Sequence, residues 1–164
     1  ALIVPVTIFF IFVLLYTAFN SAKYATMIIA NVPFATIGGI LALAISGQYV
    51  SVPSAVGFIA VFGIAMLNGV VLVSYMNELR AKGLSLSAAV RQACLLRLRP
   101  VFMTAFTTIL AIVPLLLSTG VGAETQRPLA TVVVGGLITS TLLTLVLLPV
   151  IYEWIESRGG AAEA

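Results

Sequence analysis

The sequence contains no histidine and no aspartate, one cysteine, and only 8% charged residues. Each scarcity removes a class of function. With Cys94 alone there is no internal disulfide, and without histidine or aspartate there is no cluster with the spacing of a metal site. An ordinary soluble domain carries about 25% charged residues, so a chain this poor in charge does not close into a soluble globule. The methionines Met27, Met66, Met76 and Met103 are scattered rather than stacked in one file, which leaves no thioether route for a soft ion such as Cu(I). The net charge of +3 is not laid along a soluble face, so the basic balance speaks for membrane topology and not for nucleic acid.

Apolar side chains are abundant instead: 62% of the 164 residues are hydrophobic and the mean hydropathy is +1.22. About 20 apolar residues, rising 1.5 Å each, cross the roughly 30 Å hydrocarbon core. Five runs qualify, residues 1–19, 24–46, 52–76, 101–117 and 129–152. The fold class read from them is an all-α membrane protein with five transmembrane helices. The segment 78–99 is too polar to span. Ser85 can cap a helix whose Leu86, Ala89, Val90 and Ala93 recur at three- and four-residue spacing, and this amphipathic helix is expected to lie along the inner membrane surface. Gly83 separates it from the third span and Pro100 opens the fourth. Residues 153–164 form a tail whose end, GGAAEA, is expected to be disordered.

Lysine and arginine are retained preferentially on the cytoplasmic side. Lys23 follows the first span; Arg80, Lys82, Arg91, Arg97 and Arg99 lie between the third and fourth; Arg158 follows the fifth. Alternation through five spans puts these seven inside and leaves only Arg127 outside, near Glu124, with which it is expected to pair. The chain then starts on the outer side and ends in the cytoplasm. An odd span number, with an apolar run at once and no charged leader, reads as a piece of a longer protein.

Small residues allow helices to touch where lipid supplies no hydrophobic force. Gly38 with Gly39, Gly57 with Gly63 and Gly69, and Gly135 with Gly136 are the expected contact points. The strings VPFATIGGI and RPLATVVVGGL look alike, but their spacing differs and their helices run in opposite directions, which disfavours a true repeat.

No Asp, Glu, Lys or Arg lies in the middle of any span, so nothing within the spans titrates and the chain has no proton relay of its own side chains. Asn68 has two readings: an interhelical hydrogen bond worth about 0.6 kcal/mol, or a neutral partner for a carboxylate supplied by another part of the protein. Thr104, Thr107 and Thr108 form a hydroxyl cluster, each also able to bond its own backbone one turn back. Arg97 and Arg99, in RLRP, either anchor the helix to headgroups or turn inward toward a wet cavity.

NVPFATIGG, SAVGFIAVFGIAMLNGVVLVSY, RLRPVFMTA and TGVGAETQRPLATVVVGG together resemble the last five membrane helices of a resistance-nodulation-division exporter, over nearly the whole chain. The last string is most similar to the heavy-metal branch, of the cobalt, zinc and cadmium type. The resemblance implies half of a twelve-helix bundle, completed by an N-terminal half and two periplasmic portions. It implies a homotrimer in the inner membrane of Gram-negative bacteria, joined to a periplasmic adaptor and an outer-membrane channel. It also implies export of substrate in exchange for protons, with no cofactor. In the drug-exporting branch a lysine precedes the asparagine of the tenth helix and faces carboxylates on the fourth. Here that position is Leu67, while Asn68 matches the asparagine, Thr104 a relay threonine of the eleventh helix, and Arg97 the first arginine of RLRP. The missing lysine disfavours a multidrug or amphiphile exporter of the same fold. A membrane scaffold that transports nothing is the reading from a different class.

Overall fold

Glycine, proline and, between the first two, the left-handed Asn20 divide the apolar sequence into six helices in the computed structural model, which describes residues 2–159. They are α1 Ile3–Phe19, α2 Ala22–Ile29, α3 Asn31–Ile45, α4 Val52–Ala81, α5 Leu86–Leu117 and α6 Ala123–Gly159, with no strand among the described residues. Four stretches are long and apolar enough to cross a membrane: Ala22–Ile45, Val52–Ala81, Leu86–Leu117 and Ala123–Gly159. The fifth, α1, has 17 residues, about 26 Å at 1.5 Å each.

α2 and α3 are one span interrupted at Ala30. Pro33 causes the break: it has no N–H for the Ile29 carbonyl, and its ring crowds that carbonyl. Both α3 and α4 end in a Schellman motif. At the end of α4, Gly83 takes φ +89°, its N–H reaches Arg80 O at 3.0 Å, and Leu84 N–H reaches Leu79 O at 3.4 Å. At the end of α3, Gly47 takes φ +67°, with Gln48 N–H on Leu43 O at 3.0 Å. Both motifs satisfy carbonyls that the helix leaves free.

The structure differs from the sequence expectation between residues 78 and 99. Residues 78–81 continue α4 without a break, and 86–99 belong to the same helix as the fourth span. Ser85 caps it, its Oγ accepting from Ala88 N–H at 3.4 Å. Pro100 stands inside α5 instead of opening a helix, because one missing N–H removes only the bond to the carbonyl four residues back. The apolar stripe is real, but Ala89, Val90 and Ala93 are buried in one cluster with Met76, Leu79 and Tyr152. It therefore faces the bundle, not a membrane surface. Residues 153–159, read as tail, extend α6; the rest of that segment, with Ala1, lies outside the described residues.

α6 is the axis of the arrangement. It runs antiparallel to α2 and α3, with Tyr24 at Glu156, Asn31 at Thr144, Gly38 beside Gly135 and Gln48 at Thr131. It runs parallel to α4, with Gly57 at Leu129, Val61 at Gly136 and Arg80 at Glu156. A Cβ on Gly38 would stand 2.8 Å from Gly135 O, and one on Gly135 equally close to Gly38 O, so the two backbones are in contact. The resembling strings VPFATIGGI and RPLATVVVGGL thus meet face to face. Gly39 accommodates the Phe58 ring, Gly136 sits against Val61, and Gly69 against Ile28 and Leu148. Gly63 is the exception to the packing expectation: a Cβ there meets nothing within 4 Å among the described residues, because that face of α4 is open.

Candidate functional site

Asn68 on α4, Arg97 and Thr104 on α5, and Thr144 on α6 line one groove of about 190 Å³. α4 and α5 are antiparallel, which brings the middle of the third span beside the start of the fourth. Leu67, Val71, Leu72, Pro100, Val101 and Leu145 complete the wall. The family resemblance groups Asn68 and Thr104 in one network with Arg97 at its end; in the fold the three line one groove, and Thr144 joins them.

Their hydrogen bonds differ. Asn68 is half-buried and makes no hydrogen bond among the described residues. The Thr104 hydroxyl donates to Val101 O at 3.0 Å, Thr107 to Met103 O at 2.7 Å and Thr108 to Thr104 O at 2.8 Å, so all three bond their own backbone. The half-buried Arg97 places its guanidinium 5.0 Å from the centre of the Tyr75 ring, a cation–π contact that fastens α5 to α4. The groove thus holds one cation, one free amide and no carboxylate.

Thr144 leads to polar residues that the sequence reading passed over. Its Oγ1 accepts a hydrogen bond from Asn31 Nδ2 at 2.5 Å, across the α3–α6 seam. Asn31, Ser140, Thr141 and Thr144 are each at most 3% exposed. Asn31 Oδ1, Ser140 Oγ and Thr141 Oγ1 have no partner among the described residues. The signal was present: Asn31 is an amide inside an apolar run just as Asn68 is, and TSTLLT, residues 139–144, puts the hydroxyls of Ser140 and Thr144 at four-residue spacing on α6.

A second polar group ties one end of the bundle. Glu156 accepts from Tyr24 at 2.5 Å and pairs with Arg80, while Tyr152 donates to Asn77 Oδ1 at 2.6 Å and stacks on Tyr24 with ring centres 5.7 Å apart. Glu156 lies beyond the apolar run that ends at Tyr152. Partial burial works against its charge, but hydrogen bonds from Tyr24 and Arg80 and the charges of Arg80 and Lys23 outweigh this and hold the carboxyl below its usual range.

At the opposite end, Glu124 and Arg127 form no salt bridge. The Arg127 Nε–H donates instead to Leu116 O at 3.1 Å, satisfying a carbonyl in the last turn of α5. Both residues line an open cavity of about 1050 Å³ together with Gln48 and Thr131.

The model of the AcrB/AcrD/AcrF family matches residues 1–156. The chain is 50% identical over 161 residues to the cobalt-zinc-cadmium resistance protein CzcA of Cupriavidus metallidurans, covering 98% of this chain and 15% of that protein. It is 46% identical over 158 residues to the nickel and cobalt resistance protein CnrA of the same species, again 15% of that protein. The crystal structure of a heavy metal efflux pump superposes with a TM-score of 0.87 at 47% identity, covering 96% of this chain and 15% of that chain. The matched region reaches from α1 into the last turns of α6 and includes the whole groove, so the chain belongs to the AcrB/AcrD/AcrF family of resistance-nodulation-division transporters.

Proposed function

We propose that this chain is the C-terminal transmembrane half of a proton-driven exporter of heavy-metal cations in a bacterial inner membrane. The groove shared by Asn68, Thr104, Arg97 and Thr144 carries this reading. Its walls are largely apolar, and the polar groups set into them are a cation, an amide and hydroxyls with no acid, which is the complement of a carboxylate brought by the rest of the bundle. With leucine at position 67, where drug exporters hold a lysine, Arg97 and the neutral donors carry the compensation. Protons moving inward across about 100 mV release roughly 2.3 kcal/mol each. Carboxylates of the other half take up and release those protons, and α4 and α5 shift against them. The metal-selecting groups belong to periplasmic portions outside this chain, and the pump works as a trimer with a periplasmic adaptor and an outer-membrane channel. In this topology Ile3 is at the outer side, and the Arg80–Glu156 end is cytoplasmic.

The test is metal efflux by the full-length pump carrying Asn68→Ala or Thr104→Ala. Both are expected to lose most proton-coupled transport while remaining in the membrane. Parental efflux in both ends the relay role of these residues.

A further inference from the structure

Threonine inside a helix ordinarily donates its proton to a carbonyl of the preceding turn, as Thr104, Thr107 and Thr108 do. Thr144 does not. Its one hydrogen bond among the described residues is accepted, from Asn31 Nδ2 at 2.5 Å. The oxygen lone pair facing α3 is therefore occupied, and the hydroxyl proton is left without an acceptor at a residue that lines the groove. In a membrane interior an unused donor is costly, so an acceptor for this proton is expected from outside the described residues.

The groove tells which kind. Arg97 on α5 is its one charged lining residue; α4 contributes the amide of Asn68 with apolar side chains, and α6 contributes Thr144 and Leu145. α3 brings only the neutral Asn31, through Thr144. Every polar group there can donate or is already engaged with backbone, and none is anionic. An anionic oxygen fits, and the chain has no acid on that wall.

We propose that Asn31 and Thr144 form a positioning pair for the proton relay: Asn31 fixes the rotamer of Thr144, and Thr144 presents its O–H to the carboxylate that the other half of the bundle inserts between α4, α5 and α6. This rests on the relay reading above, gives Thr144 of α6 a defined part in it and adds α3 through Asn31. A donor aimed at a carboxylate favours its charged form. Removing the donor makes the carboxylate harder to ionise, and proton release then requires a higher pH.

The experiment uses the full-length pump in proteoliposomes, with Zn²⁺ and Co²⁺ as transported probes and metal-dependent proton flux as a second readout. The pH profile of transport is measured for Thr144→Val, which keeps the volume, for Thr144→Ser, which keeps the hydroxyl, and for Asn31→Ala. Thr144→Val is expected to move the acidic limb upward by about one pH unit, the size of one hydrogen bond to a charged group. Thr144→Ser is expected to return most of that shift, and Asn31→Ala to move the limb the same way by less. A Thr144→Val pump that transports with the parental profile overturns the proposal; a shifted Thr144→Val profile with Asn31→Ala unmoved overturns the part assigned to Asn31. If Asn68→Ala and Thr104→Ala abolish coupling while Thr144→Val leaves the profile in place, the relay stands and only this pair is removed from it.

Discussion

α5 and α6 are long helices of almost the same mean hydropathy, 2.1 and 2.2 over their most apolar stretches, yet 11% of that stretch is buried in α5 and 50% in α6. Hydropathy separates lipid from water, and both helices are on the lipid side of that division. What separates them is the distribution of small and hydroxyl side chains. α6 carries Gly135, Gly136, Ser140, Thr141 and Thr144 on faces turned to α3 and α4, and all but Gly135 are buried. α5 carries Phe102, Met103, Phe106 and Leu110 outward, each at least 44% exposed. In lipid a large apolar side chain gains nothing by leaving the surface, whereas close backbone approach gains dispersion and shared hydrogen bonds. Membership of the bundle interior is therefore written in glycine, serine and threonine.

The sharpest way to break this contrast is Gly135→Leu in the full-length pump. The added side chain meets the Gly38 carbonyl and Ala42, both held by α3, so overpacking of several kcal/mol is expected. Folded protein recovered by size-exclusion chromatography should fall to a small fraction of the parent. Glu156→Gln comes next, since it leaves Arg80 without its ionic partner and weakens the bond from Tyr24 at the end of α6. For this half-exposed pair about 1–2 kcal/mol is expected, read as a lower thermal midpoint with transport retained. The same bond has a pH signature: a carboxyl with a depressed folded pKa contributes stability above its unfolded pKa and loses it as pH falls through the folded one. The midpoint difference between parent and Glu156→Gln should thus be full at neutral pH and vanish below the usual carboxylate range.

Gly83→Ala is expected to cost about 1 kcal/mol, because φ +89° is strained for any residue with a Cβ. It sits in the turn that leads from α4 into α5, and its thermal midpoint should drop less than that of Glu156→Gln. The smallest effect belongs to α5: Tyr75→Leu removes the ring under Arg97 and is expected to cost about 0.5–1 kcal/mol. A loss at Tyr75 as large as that at Gly135 would mean that α5 is as deeply fastened as α6, and the contrast would fail.

The helical class, the five apolar runs, the Ser85 cap and the Gly83 turn were legible because each depends on local chemistry: length, composition, a side-chain acceptor, a backbone conformation. The continuity of α5 through Pro100 was not, since proline at the start of a helix and proline within one look identical in sequence; only the neighbours that hold the two halves in line decide. The direction of the amphipathic stripe at 89–93 was hidden for a similar reason. An apolar face fits a bilayer or a protein core equally well, and here Met76 and Tyr152 supply the core. At the candidate site, residue types pointed to Asn68, Thr104 and Arg97. Asn31 and Thr144 carry the same kind of polar signal in an apolar run, but their pairing was not legible, because a hydrogen bond spanning 113 positions has no local trace.

The parallel pair α4 and α6 is fastened where Tyr152 meets Asn77 and Glu156 meets Arg80. Two rods riveted at matching points cannot travel lengthwise past each other without shearing the rivets. The two helices are therefore held in register at that end, while α5 leaves most of its apolar stretch uncovered and carries Pro100 at the groove.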